Sequence, residues 1–104
     1  MGKTLKDVKR QDLIRERGYV NGEWVEAASG ASFAVHDPAT LNKIAILPDM
    51  GADEAVKAIH AAHDAFTTFK KTTGRQRARW LRKWADLCLV HTEDLALILT
   101  LESR

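Results

Sequence analysis

Residues 95–101 read Leu-Ala-Leu-Ile-Leu-Thr-Leu, and they follow Thr92-Glu93-Asp94, a threonine and two acids of the kind that open a helix. Wound at 100° per residue, this segment has almost no polar side. A helix that is apolar all round is stable only when it is covered all round. A chain of 104 residues has limited material for that task. The rest of the sequence therefore has to be read for what could surround residues 95–101, and it offers little.

Before residue 50 the signals are strands and turns. In Tyr19-Val20-Asn21-Gly22-Glu23-Trp24-Val25, the Asn-Gly pair tolerates the positive φ angles of a two-residue turn, and its flanks favour a pleated surface. Ser29-Gly30 marks another turn. Phe33 to His36 alternates as a strand and Asp37-Pro38-Ala39-Thr40 stops it. Lys43 to Leu47 is a further strand with Ile44 and Ile46 on one face, ended by Pro48.

After residue 50 the period becomes helical. Gly51-Ala52-Asp53-Glu54 opens a helix running from Ala52 to about Phe69, with Ala55, Ile59, Ala62, Phe66 and Phe69 on one face. Thr73 and Gln76 have the spacing of a capping box, and they open a second helix from Gly74 to about Val90. Its apolar arc holds Ala78, Trp80, Leu81, Trp84, Ala85, Leu87 and Cys88, opposite Arg75, Arg79, Arg82, Lys83 and Asp86. Arg77 falls inside the apolar arc and needs a partner, because an unpaired buried charge is very costly. Thr92 is expected to cap the third helix. The fold class is α+β: residues 1–12 flexible, 13–48 strands, 51–102 helices.

Sixteen basic and fourteen acidic residues leave a net charge of +2, too little to argue for nucleic acid or an anionic membrane. No apolar run approaches the ~20 residues of a membrane span. The first seventeen residues lack the apolar stretch of a signal peptide, and Asp7, Asp12 and Glu16 interrupt what could be a mitochondrial presequence. A lone cysteine excludes an internal disulfide and fits a reducing, cytoplasmic setting. Cys88 lies among Trp84, Leu87 and Leu89, so it reads as an inert core thiol rather than a nucleophile. His60 and His63 could face one metal, but no further ligand stands beside them. The arginine stripe on the second helix reads as a solvated face, with the tryptophans turned away from it, so nucleic-acid binding is not expected. No phosphate-cradling glycine loop and no serine–histidine triad is present.

The order of the segments adds a second kind of information. The Tyr19–Val25 hairpin, the Asp37–Thr40 turn, Met50-Gly51-Ala52-Asp53-Glu54-Ala55 with Ala61–Phe66, Arg77–Leu87 and Leu95–Ser103 together resemble the opening segment of aldehyde dehydrogenases over residues 13–103. Asp12-Leu13-Ile14-Arg15, the Met-Gly-Ala-Asp-Glu helix start and the Trp-Ala-Asp-Leu run are most similar to the succinate-semialdehyde dehydrogenases.

The resemblance implies the N-terminal segment of an α/β enzyme. In that enzyme a cysteine thiolate attacks the aldehyde, hydride passes to NAD or NADP, and a glutamate assists hydrolysis of the thioester. In the family these groups and the Rossmann-type cofactor sheet follow the segment seen in this chain. No catalytic or cofactor-binding residue is therefore expected here, and Cys88 does not match the nucleophile motif. The chain is expected to be an N-terminal piece of such an enzyme, because Arg104 stands where the family pattern has a glycine. Its expected partners are the remainder of the enzyme chain or other subunits of a homo-oligomer, without nucleic acid or membrane. A non-catalytic module that associates with full-length subunits is the alternative. Many family members also hold a structural monovalent cation. The matching positions are the Val35 and His36 carbonyls and the Glu102 carboxylate, oxygen donors suited to a hard cation.

Overall fold

The computed structural model describes residues 2–103. The Asn21-Gly22 turn sets the first pairing: strands β1 (Gly18–Val20) and β2 (Glu23–Val25) run antiparallel with Tyr19 opposite Trp24. Asn21 and Gly22 take φ of 51° and 80°, the left-handed values that the tight turn requires. Across the hairpin the Tyr19 and Trp24 rings lie 4.9 Å apart between centroids, and the Arg15 guanidinium stacks 4.7 Å over the Trp24 ring.

Strands β3 (Ser32–His36) and β4 (Lys43–Pro48) form a second antiparallel pair, separate from the first. The Asp37-Pro38 turn between them is closed by the Leu41 amide donating to the Asp37 carbonyl at 2.7 Å and the Ala39 amide donating to Asp37 Oδ1 at 2.9 Å. Pro48 is the last residue of β4 rather than a stop before it. A proline is tolerated there because the terminus of a two-stranded ribbon does not need its missing N–H.

Helices α1 (Ala52–Phe69), α2 (Gly74–Val90) and α3 (Thr92–Ser103) follow, so the α+β order of strands then helices is the observed one. Thr73 Oγ1 accepts the Gln76 amide at 3.1 Å and Gln76 Oε1 accepts the Thr73 amide at 3.0 Å, which completes the capping box at the start of α2. Thr92 does not cap α3 as expected. Its hydroxyl donates backwards to the Cys88 and Leu89 carbonyls at 3.1 and 2.8 Å, so it closes α2. His91 serves both helices. Its amide donates to the Leu87 carbonyl and its carbonyl accepts the Leu95 amide.

The N-terminal stretch has local structure where it is described. Two 3-10 turns, Leu5–Asp7 and Gln11–Leu13, carry the chain past α3. The Thr4 amide donates to Asp7 Oδ2 at 2.8 Å and the Lys6 amide to Thr4 Oγ1 at 3.2 Å. These local bonds, together with a carboxylate from α3 described below, replace the apolar patterning that the segment lacks.

The assembly is open. Its radius of gyration is 16.9 Å, whereas a close-packed chain of this length has about 13 Å. Its accessible surface is 8432 Å², against about 5,800 Å² for a folded monomer of this mass. Among the described residues the buried apolar side chains are Val8, Ala27 and Leu101.

Because the Thr73 hydroxyl holds an orphan amide of α2, Thr73→Ala is expected to destabilise that helix by about 1 kcal/mol, while Thr73→Asp retains most of the stability. Urea unfolding followed by helical circular dichroism checks this.

Candidate functional site: an uncovered helical face

The residues that the helical period assigns to an inner face lie in solvent. On α1, Ile59 and Phe66 are exposed, and on α2 so are Trp80, Leu81, Trp84 and Leu87. Trp84 keeps 66% of its surface open and Leu99 of α3 likewise 66%, although Leu101 two residues on is 2% exposed. Fully burying one such side chain stabilises by about 1.5–3 kcal/mol, so this stripe is a large unused driving force. The excess over a close-packed monomer also exceeds the roughly 800 Å² that one partner contributes to a standard protein interface.

One corner of the face is organised. α1 and α2 meet where the Phe69 and Trp80 rings stack at 6.0 Å with an interplanar angle of 26°. Arg77, which the pattern placed among apolar residues, is half-buried there. Its guanidinium lies 5.9 Å over the Phe69 ring and donates to Thr72 Oγ1 at 3.5 Å. The partner that the sequence demanded is thus an aromatic face and a hydroxyl.

Carboxylates tie the remaining elements together through backbone amides. Asp94, 7% exposed on α3, accepts the Lys9 and Arg10 amides at 2.9 Å each. These two bonds hold its carboxyl below the usual carboxylate range, the Lys9 amide contributing most. Glu54 on α1 accepts the Ala28 amide at 2.7 Å and the Gly51 amide at 2.8 Å, and its carboxyl is lowered mainly by the Ala28 bond. Glu16 accepts the Ile46 amide at 2.7 Å. The Arg10 guanidinium grips Asp12 at 2.6 and 2.8 Å, and that hydrogen bonding draws the Asp12 carboxyl down to about 2.

Sequence reasoning missed this set in part. Glu54 could have been found, because Gly51-x-x-Glu54 has capping-box spacing, with only the glutamate half able to act. Asp94 had been read solely as a helix-dipole residue, and nothing local links it to residues 84 and 85 positions earlier.

The residues singled out for a cation lie as follows. Val35 and His36 end β3, where the ladder with β4 is irregular, and Glu102 is exposed on the last turn of α3. Their neighbours Asp37 and Leu101 line one cleft. The described residues contain no group of three His, Cys, Asp or Glu side chains placed to hold a metal, so any site of this kind rests on backbone oxygens. Cys88 is exposed, not a core thiol, because nothing covers the α2 arc that carries it. His60, His63, Arg75, Arg79, Arg82 and Lys83 are exposed as well. No described helix is long and apolar enough to cross a membrane.

Residues 24–104 match the model of the aldehyde dehydrogenase family. The chain belongs to that family. It is 44% identical over 94% of its length to a 3-sulfolactaldehyde dehydrogenase of Pseudomonas putida, of which it covers 20%. It is 40% identical over 97% of its length to the mitochondrial succinate-semialdehyde dehydrogenase of Oryza sativa subsp. japonica, of which it covers 19%. The structure superposes on a crystal structure of succinate-semialdehyde dehydrogenase from Burkholderia pseudomallei with a TM-score of 0.89 and 43% identity, covering 91% of this chain and 20% of that one. The chain thus spans about a fifth of the length of the aldehyde dehydrogenases it matches, and its fold is that of their N-terminal part.

Asp94 gives a pH prediction for this aldehyde dehydrogenase segment. Its folded-state carboxyl is lowered, so the stability it adds is full above the unfolded value of about 4 and is lost as pH falls through the lower folded value. Acidification into that window should detach residues 4–13 from α3, as read by amide chemical shifts of Lys9 and Arg10. In Asp94→Asn the same shifts should already be displaced at pH 7.

Proposed function

We propose that these residues form the N-terminal scaffold of an enzyme that oxidises a short aldehyde bearing an acid group, succinate semialdehyde foremost, with NAD or NADP as hydride acceptor. The reading is carried by one observation. A helical face that its own chain leaves bare belongs to a segment that is 41% identical to the NADP-dependent succinate-semialdehyde dehydrogenase of Escherichia coli, of which it makes up 19%. The remainder of such an enzyme supplies the cover. The substrate class is supported by the names of the relatives, which act on succinate semialdehyde, glutarate semialdehyde and 3-sulfolactaldehyde. Each of these aldehydes carries a carboxylate or a sulfonate.

In this reading the chain has an architectural role. The two β ribbons support the region where subunits associate into a homo-oligomer, and α1 to α3 cover one side of the cofactor domain. The nucleophile, the hydrolytic glutamate and the cofactor site belong to other residues than these, and the enzyme works in the cytoplasm. The carbonyls of Val35 and His36 and the carboxylate of Glu102 contribute to a monovalent cation site. The support is the match of these three positions to the family pattern and the oxygen chemistry of the donors, which suits a hard cation. Bound there, a cation would neutralise Glu102 and tie the end of α3 to β3.

A second reading takes the same bare face as a docking surface by which the segment associates with full-length aldehyde dehydrogenase subunits and alters their assembly. Co-purification with intact subunits supports it, and a monodisperse chain that ignores them counts against it.

The purified chain is expected to give no NAD- or NADP-dependent oxidation of succinate semialdehyde; measurable turnover overturns the scaffold role. Joined to the remainder of the Escherichia coli enzyme in place of its own N-terminal segment, it is expected to give an active oxidoreductase. A hybrid that folds and assembles but is inactive would contradict the scaffold role.

A further inference from the structure

The chain-wide charge of +2 averages two unlike parts. Residues 70–83 hold seven of the sixteen basic residues and none of the fourteen acidic ones. Most of that charge lies on α2, where Arg75, Arg79, Arg82 and Lys83 form one face and Asp86 is the acid among them. Among the described residues no ion pair neutralises these four cations. The opposite face of the same helix is the bare arc of Trp80, Leu81, Trp84 and Leu87. From Ala78 to Val90 every residue of α2 is exposed, so both faces are open at once. Arg77, the charge inside the arc, is turned onto the Phe69 ring and the Thr72 hydroxyl near the start of the helix.

We propose that α2 is a docking helix for an anionic phospholipid surface: it lies in the plane of the headgroups, with its indoles and leucines at the edge of the acyl chains and its cations among the lipid phosphates. A helix with Lys and Arg on one face and Trp and Leu on the other is built for that boundary. Indoles favour it because the ring is apolar and its N–H is not. Long basic side chains reach the phosphates while the helix sinks below them. A soluble acidic protein would engage the basic face and leave the indoles in water. An apolar protein groove would bury the indoles and leave the cations unused. The bilayer boundary offers both media within one helix diameter, about 10 Å. No described helix is long and apolar enough to cross a membrane, so the fit is to its surface.

The apolar arc of α2 is also the face that the scaffold role hands to the remainder of an aldehyde dehydrogenase, and the two covers exclude each other. An anionic surface holds the segment while that remainder is absent, and packing of the enzyme around α2 releases it. Failure to bind lipid leaves the scaffold role standing, and turnover by the chain alone would overturn the scaffold role without touching the lipid surface.

The test is co-flotation of the 104-residue chain with lipid vesicles at physiological ionic strength, which separates lipid-bound chain from self-associated chain. Vesicles of phosphatidylcholine and phosphatidylglycerol in equal parts should carry it, and vesicles of phosphatidylcholine alone should not. In a Trp24→Phe background, where emission comes from Trp80 and Trp84, binding should shift the emission to shorter wavelength, and lipids brominated on the acyl chain should quench it. Arg79→Gln together with Arg82→Gln should lower the partition coefficient about 25-fold, roughly fivefold for each charge removed. Trp84→Gln should lower it about tenfold. These side chains are exposed, so the substitutions leave the fold intact. Absence of binding to the anionic vesicles, equal binding to the neutral ones, or full binding by the arginine double variant overturns the proposal. Binding without acyl-chain quenching overturns it as well, because adsorption through the basic face alone would then suffice.

Discussion

An apolar stripe that runs along α1 and α2 and onto α3 is left without cover by the rest of the described chain, and most features of the molecule follow from that. Helices of this size gain their stability from the face they bury, since helix propensity alone is marginal over such lengths. Here α2 is fixed mainly by its Thr73 cap and by the Phe69–Trp80–Arg77 corner. The large radius and large surface are the geometric expression of the same fact. They also explain why Cys88, patterned as an interior thiol, lies open.

Where apolar packing is absent, backbone-directed carboxylates take over. Asp94, Glu54 and Glu16 each accept amides from a different part of the chain, with donor–acceptor distances of 2.7 to 2.9 Å. A carboxylate accepting amides is a stronger tie than a neutral hydrogen bond. Such ties set the positions of the N-terminal segment, the β2–β3 connection and β4 before any further surface is covered. The proposed scaffold role calls for that property, because the elements would then have to present one continuous face to what packs on them.

The sequence was legible where the determinant is local. The Asn21-Gly22 turn, the Asp37-Pro38 turn, and the bounds of α1 and α2 follow from residues within four positions of one another, and the structure has them where the patterns put them. The need of α3 for cover was legible too, because it has no polar side, and the structure meets it in part: Leu101 is buried and Leu97 and Ile98 are half-buried, while Leu95 and Leu99 stay exposed. What was not legible depends on residues far apart in sequence. Thr92 looks like a helix cap, and only the single-residue junction at His91 turns its hydroxyl back toward α2. The tie of the Lys9 and Arg10 amides to Asp94 spans more than 80 positions and has no local signal. Arg77 announced a need for a partner without naming Phe69.

Small-angle X-ray scattering of the isolated chain, extrapolated to zero concentration, tests the central claim most directly. The account requires a radius of gyration near the 16.9 Å of the structure, with association growing as concentration rises. A monomer of about 13 Å, the value for a close-packed chain of this length, would mean that the helices bury their own apolar faces and that no external cover is needed.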